Sequence, residues 1–195
     1  MTDETRTSLT NLALREIGGT RVDAWDANSP SADIARDVWG QARRKALSRH
    51  EWQFALKTVR LPRSADVPAG RYSYRYTLPG DHIRTAAVCD HEGMDDEFHA
   101  WRTRQGSIET SAEAVYIDYV YDAPAIGAWP AWFVDLFVAD MAALMAAPMK
   151  STTERERLEK LLVSRLREAR TIDSGQQPTI MPPTSRWAIA QKGGR

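Results

Sequence analysis

The sequence has a single cysteine, Cys89, so no disulfide can form within the chain and a reducing compartment suits it. It has no Gly-x-Ser-x-Gly element, no phosphate-cradling glycine loop and no dinucleotide fingerprint. These absences remove the motif-based routes to a hydrolase, a nucleotide-hydrolysing enzyme and a dehydrogenase. The start, Met1 to Thr7, lacks the apolar core of a signal peptide, and no internal repeat is visible. The longest apolar run, Trp129 to Met149, contains Asp135 and Asp140. Each aspartate would cost about 2.5–3.5 kcal/mol at mid-bilayer, so the run reads as a buried helix of a soluble protein with no membrane partner. Net charge is also lacking, with 26 Lys/Arg against 26 Asp/Glu.

That balance hides a pattern. Residues 36–75 hold ten Lys/Arg against three Asp/Glu, a net +7; residues 81–122 hold three against ten, a net −7; residues 150–195 hold ten against five, a net +5. The blocks are either solvated faces or surfaces that favour different partners, including copies of the same chain. A hydrophobic share of 43% is enough for a core, and 195 residues suit one domain with an insertion or a tail. Seven tryptophans point to broad packing or interface surfaces.

The chain turns on one stretch, Leu47 to Ala55. Before it apolar residues recur at helical spacing, and after it they alternate as in strands. Leu9, Leu12, Ala13 and Ile17 predict a first helix, stopped by Gly18-Gly19. A connector with Val22 and Trp25 follows. Ser29-Pro30 opens a second helix, with Ile34, Val38, Ala42 and Ala46 on one face, Leu47 beside them, and an end near His50. Strands are predicted over Thr58–Leu61, Tyr72–Leu78, Ile83–Cys89, Phe98–Thr103, Ser107–Glu109 and Val115–Tyr121, as one meander or barrel-like sheet. A third helix starts at Trp129-Pro130 and closes at Pro148. A fourth opens on a capping box, Ser151 to Glu154, with Leu158, Leu161, Leu162, Leu166, Ala169 and Ile172 on its stripe. The fold class expected is α+β: a four-helix bundle (1–54 and 129–172) with an inserted antiparallel β domain (55–128) and an extended C-terminal arm (173–195).

Three groups of residues are singled out. Leu47, Trp52 and Phe54 form a bundle–sheet junction. Arg43, Arg44, Lys45 and Arg49 form a charged helix face, able to meet a partner or, as the rival reading, to bind nucleic acid as a module built on the second helix. Arg186, Trp187 and Ile189 form an apolar group in a proline-rich arm, placed to dock on another chain. Cys89, His91 and His99 share one β segment, but their spacing does not make a zinc site, and the acidic loop beside them fails the calcium-loop pattern. Cys89 reads as a buried, inert thiol, and Asp81-His82 as a turn pair. No catalytic residue, metal or cofactor is expected.

Asn11-x-Ala13-Leu14-x-x-Ile17-Gly18, Trp52-x-Phe54-Ala55, Tyr74-x-Tyr76-x-Leu78-Pro79-x-Asp81 and Trp129-Pro130-x-x-Phe133 together resemble the head-to-tail adaptor proteins of tailed phages. That family includes the tail tubular protein A group and the related adaptors of gene-transfer-agent particles. The resemblance covers about residues 8–147. It implies a helical bundle with an inserted β domain and a structural virion protein at the head-tail junction. It further implies a ring, usually of twelve copies, between the portal protein and the tail or stopper proteins, continuing the channel through which DNA is ejected without sequence recognition. C-terminal segments of that family commonly reach the portal.

Overall fold

The structure, a computed structural model, describes residues 3–94, 100–146 and 152–176. Helix α1 spans Asp3–Glu16. Gly18 takes the left-handed conformation (φ +60), and the amides of Gly18 and Gly19 return to the carbonyls of Arg15 and Leu14. This is the glycine stop the sequence predicts. The connector then folds back on α1. The Asn11 side chain donates to the Val22 carbonyl and accepts from the Val22 amide, both at 2.9 Å, as a neighbouring strand would.

Helix α2 spans Pro30–Ser48, capped by Ser29, whose hydroxyl accepts from the Ala32 amide at 3.3 Å. Its buried line is Ala32, Ala35, Trp39, Ala42 and Ala46, with Leu47, while Ile34 and Val38 sit half-buried beside it. The line has therefore rotated from the predicted one. The alanines let α2 lie close to its neighbour, and the larger aliphatics fill the margin.

Helix α3, Ala131–Ala146, is apolar on almost every side and packs against α1, α2 and the last helix. A helix with no polar face belongs in the centre of a core, and that is where it lies. Among the described residues no helix is long and apolar enough to cross a membrane. Helix α4 spans Thr152–Ser174 and buries one stripe, Leu158, Leu162, Ala169 and Asp173. Ile172 is 40% exposed and lies off that stripe. Asp173, taken from sequence as the first residue of an arm, instead closes the stripe one turn after Ala169. The predicted end at Pro148 and the cap at Ser151 lie outside the described residues.

The strands are β1 (Leu56–Arg60), β2 (Tyr74–Thr77), β3 (His82–Cys89), β4 (Trp101–Arg104), β5 (Ser107–Thr110) and β6 (Tyr116–Tyr121). They form two antiparallel sheets of three, ordered β1-β6-β3 and β2-β5-β4, rather than the single sheet the spacing suggests. Pro62 marks the division, because it has no amide to donate to a ladder. Leu61 still bonds Val115 in the first sheet, whereas the Ser64 amide already reaches the Arg75 carbonyl beside the second. Gln105 and Gly106 (φ 50 and 68) make the tight turn between β4 and β5.

Strand β6 joins two cores. Val120 faces the helical core, while Ile117 and Tyr119 enter a second cluster with Leu61, Tyr76, Val88, Ile108 and Val115. The period-two alternation of β6 thus places the first sheet between the helices and the second sheet.

Candidate functional site

The stretch Leu47 to Ala55 carries the connection between helices and sheets. Leu47 and Trp52 are fully buried, and Phe54 is half-buried. The Trp52 indole donates to the Ala46 carbonyl at 2.9 Å, closing the end of α2. Its ring lies 5.2 Å from Trp132 and 5.7 Å from Phe133, and Phe54 lies 4.7 Å from Phe133. Trp129 continues the cluster, 5.3 Å from Phe133 and 4.9 Å from Phe137, with its indole donating to the Ala123 carbonyl. The residues on either side of the β region therefore meet in one aromatic cluster. The three junction residues named from sequence are brought together.

Two buried carboxylates hold this stretch, and sequence reasoning missed both roles. Asp140, fully buried on α3, takes two parallel hydrogen bonds from the Arg49 guanidinium, at 2.7 and 2.8 Å. That bond holds the Arg49 charge above its ordinary range, against the opposing effect of burial. Asp173, 1% exposed at the end of α4, accepts the Gln53 amide at 3.2 Å and faces His50 Nε2 at 3.3 Å. Arg170 donates to the Arg49 carbonyl beside it. Helices α3 and α4 each contribute one aspartate to the same five-residue segment. A signal existed for Asp140: it sits among apolar residues on a helix apolar on almost every side, and an aspartate buried there needs a cation, whereas Asp135 on the same helix is exposed.

Burial pushes the Asp173 carboxyl upward, partly offset by the Gln53 amide and His50. A carboxyl raised in the folded state contributes stability below its unfolded pKa near 3.8, and that contribution is lost as pH rises through the folded value. Asp173→Asn is therefore expected to gain stability relative to the parent as pH climbs from about 4 to 7. Urea denaturation at stepped pH measures this. A loss of about 3 kcal/mol or more in the variant at pH 7 would show instead that the ionised carboxylate stabilises the fold.

The charged helix face is not uniform. Arg43 makes a two-bond pair with Asp122, at 2.7 and 2.8 Å, and Arg49 is held by Asp140. Arg44 and Lys45 are exposed. The acidic block is likewise divided. Glu109 is buried between Arg102 and Arg75, its direct cross-strand neighbours, and the Arg102 hydrogen bond is the main reason its carboxyl lies below the ordinary range.

Cys89 is buried at the end of β3, and His91 lies 2.9 Å from Asp90. His99 lies outside the described residues. Among the described residues no three His, Cys, Asp or Glu side chains converge as metal ligands would. Asp81 accepts from Lys57 and Tyr119, which raises the Tyr119 hydroxyl to about 12 through burial and this bond. His82 stacks on the Tyr119 ring, and burial lowers its pKa. Arg186, Trp187 and Ile189 lie outside the described residues. The sequence matches no known family model and no curated protein.

Proposed function

We propose that this chain is a structural head-to-tail adaptor of a tailed phage or phage-like gene-transfer particle, without catalytic activity. In this reading a four-helix bundle carries an inserted β domain, and copies form a ring, of twelve subunits in the resembled family, between portal and tail. The ring continues the DNA channel without reading sequence. The protein is made in the bacterial cytoplasm and resides in the virion at the head-tail junction.

The observation that carries the reading is the fixed junction. A ring closes only if every copy holds the same angle between its parts. Here Trp52, Phe54, Trp129 and Phe133, all within the motifs that carry the resemblance, meet in one cluster, and the intervening backbone is held by Asp140 and Asp173. Asn11, in the first motif, pins the connector at Val22.

The test is electron microscopy of the full chain mixed with portal-bearing particles. A ring of density beneath the portal is expected, with Arg43, Arg44 and Lys45 away from the bore. Failure to bind the portal, together with tight duplex binding and a steep salt slope by the free chain, would instead favour the nucleic-acid-binding module built on α2.

A further inference from the structure

A groove of about 430 Å³ lies between the C-terminal half of α2 and the start of β3, lined by Gln41, Arg44, Lys45, Ser48, His82 and Ile83. The surrounding cations are already balanced: Arg43 by Asp122, Arg49 by Asp140, Lys57 by Asp81 and Arg84 by Glu51. Arg44 has no ion pair among the described residues. Lys45 has only Asp140, at 3.8 Å, whose two oxygens are taken by Arg49. The basic block at residues 36–75 therefore leaves Arg44 without an ion pair among the described residues, and Lys45 with only a long contact shared with Arg49, at this groove beside Ile83.

The complementary charge lies at the far end of the same strand. Asp90, which faces His91 at 2.9 Å, and Glu92 follow Cys89, and both are exposed. Asp90 lies eight positions along the chain from His82, about 25 Å at the rise of an antiparallel strand. The groove and the acidic turn of one molecule are thus too far apart to meet each other.

We infer that the groove receives Asp90 and Glu92 of a second copy of this chain. The contact joins different patches on the two copies. Made once per pair it is head-to-tail and propagates into rings or filaments, the result expected here; made reciprocally it would close a two-fold dimer, so sedimentation that stops at the dimer would overturn the head-to-tail arrangement. The inference rests on the ring-forming reading above and assigns it a surface. Opposite charges across the contact set register and partner choice more than raw affinity, and exposed charges are screened by salt.

The experiment uses sedimentation velocity on the full chain, from about 10 to 300 μM, at low and high salt. Two variants accompany it, Arg44→Glu/Lys45→Glu and Asp90→Lys/Glu92→Lys. The parent is expected to associate at low salt and to dissociate as salt rises. Each variant alone should associate at least about tenfold more weakly, and an equimolar mixture of the two should regain association, since each then offers what the other lacks. A parent that stays monomeric throughout overturns the proposal. So does association that ignores both reversals, or a groove variant that loses duplex DNA binding while its self-association is intact. Portal capture is read in parallel. If reversals leave both capture and self-association unchanged, only this surface falls; if the parent is never captured while the mixture still rescues association, the adaptor reading falls and the contact stands.

Discussion

Replacing Trp52 with alanine is expected to cost about 3–5 kcal/mol of unfolding free energy. Trp52 is fully buried, so the change opens a cavity between α2 and α3 and strips contacts from Trp132 and Phe133. It also leaves the Ala46 carbonyl without the indole donor at the end of α2. A domain of this kind has roughly 5–15 kcal/mol in total, so the variant would stand near the unfolding threshold. Urea denaturation followed by circular dichroism measures the loss. Phe54→Ala should cost less, because Phe54 is only half-buried. A Trp52→Ala loss below about 1 kcal/mol would mean that the junction is not part of the core.

Breaking the Asp140–Arg49 pair is expected to be as costly, for a different reason. Asp140→Ala leaves the Arg49 guanidinium held at the interface with no carboxylate, and Arg49→Ala leaves a carboxylate with no exposure to water beside Lys45 alone. Arg49→Ala should cost about 3–5 kcal/mol, since the fully buried carboxylate cannot recover its hydration, and Asp140→Ala should cost less, because the Arg49 guanidinium is 22% exposed. The double change Asp140→Leu/Arg49→Met should cost much less than the sum, because apolar groups of similar volume need no partner. The four-protein cycle decides between this and simple packing loss. Additive costs would mean that the two residues act independently, and the fixed angle of the junction would then rest on its aromatics alone.

Much of the architecture is legible in the residues. Gly18-Gly19 stops α1, Ser29-Pro30 starts α2, and the Tyr74–Thr77 and Tyr116–Tyr121 alternations are strands. These signals are local: a cap, a left-handed glycine and a two-residue period act within one turn or one strand. The split into two sheets was hidden because spacing gives strand length and order but not pairing partners. Strand β6 pairs with β1 and β3, and only the folded chain brings those three together. The burial of Asp173 is not legible, because an aspartate after a periodic stripe looks the same whether it ends the helix in solvent or turns back onto a neighbouring segment.

The charge pattern shows the same division. Sequence by itself determined that positive charge gathers between residues 36 and 75 and negative charge between 81 and 122, and that Trp52 and Phe54 lie where helix gives way to strand. Only the tertiary structure decided which charges cancel. Arg43 meets Asp122 across 79 positions, Arg49 meets Asp140 across 91, and the Gln53 amide meets Asp173 across 120. Charge attraction at such separations depends on distance in space and on exclusion of water, and neither is set by position along the chain. Packing of α3 and α4 against the junction brings those carboxylates within hydrogen-bonding reach, and at the groove it leaves Arg44 without an ion pair among the described residues and Lys45 with only its long contact to Asp140.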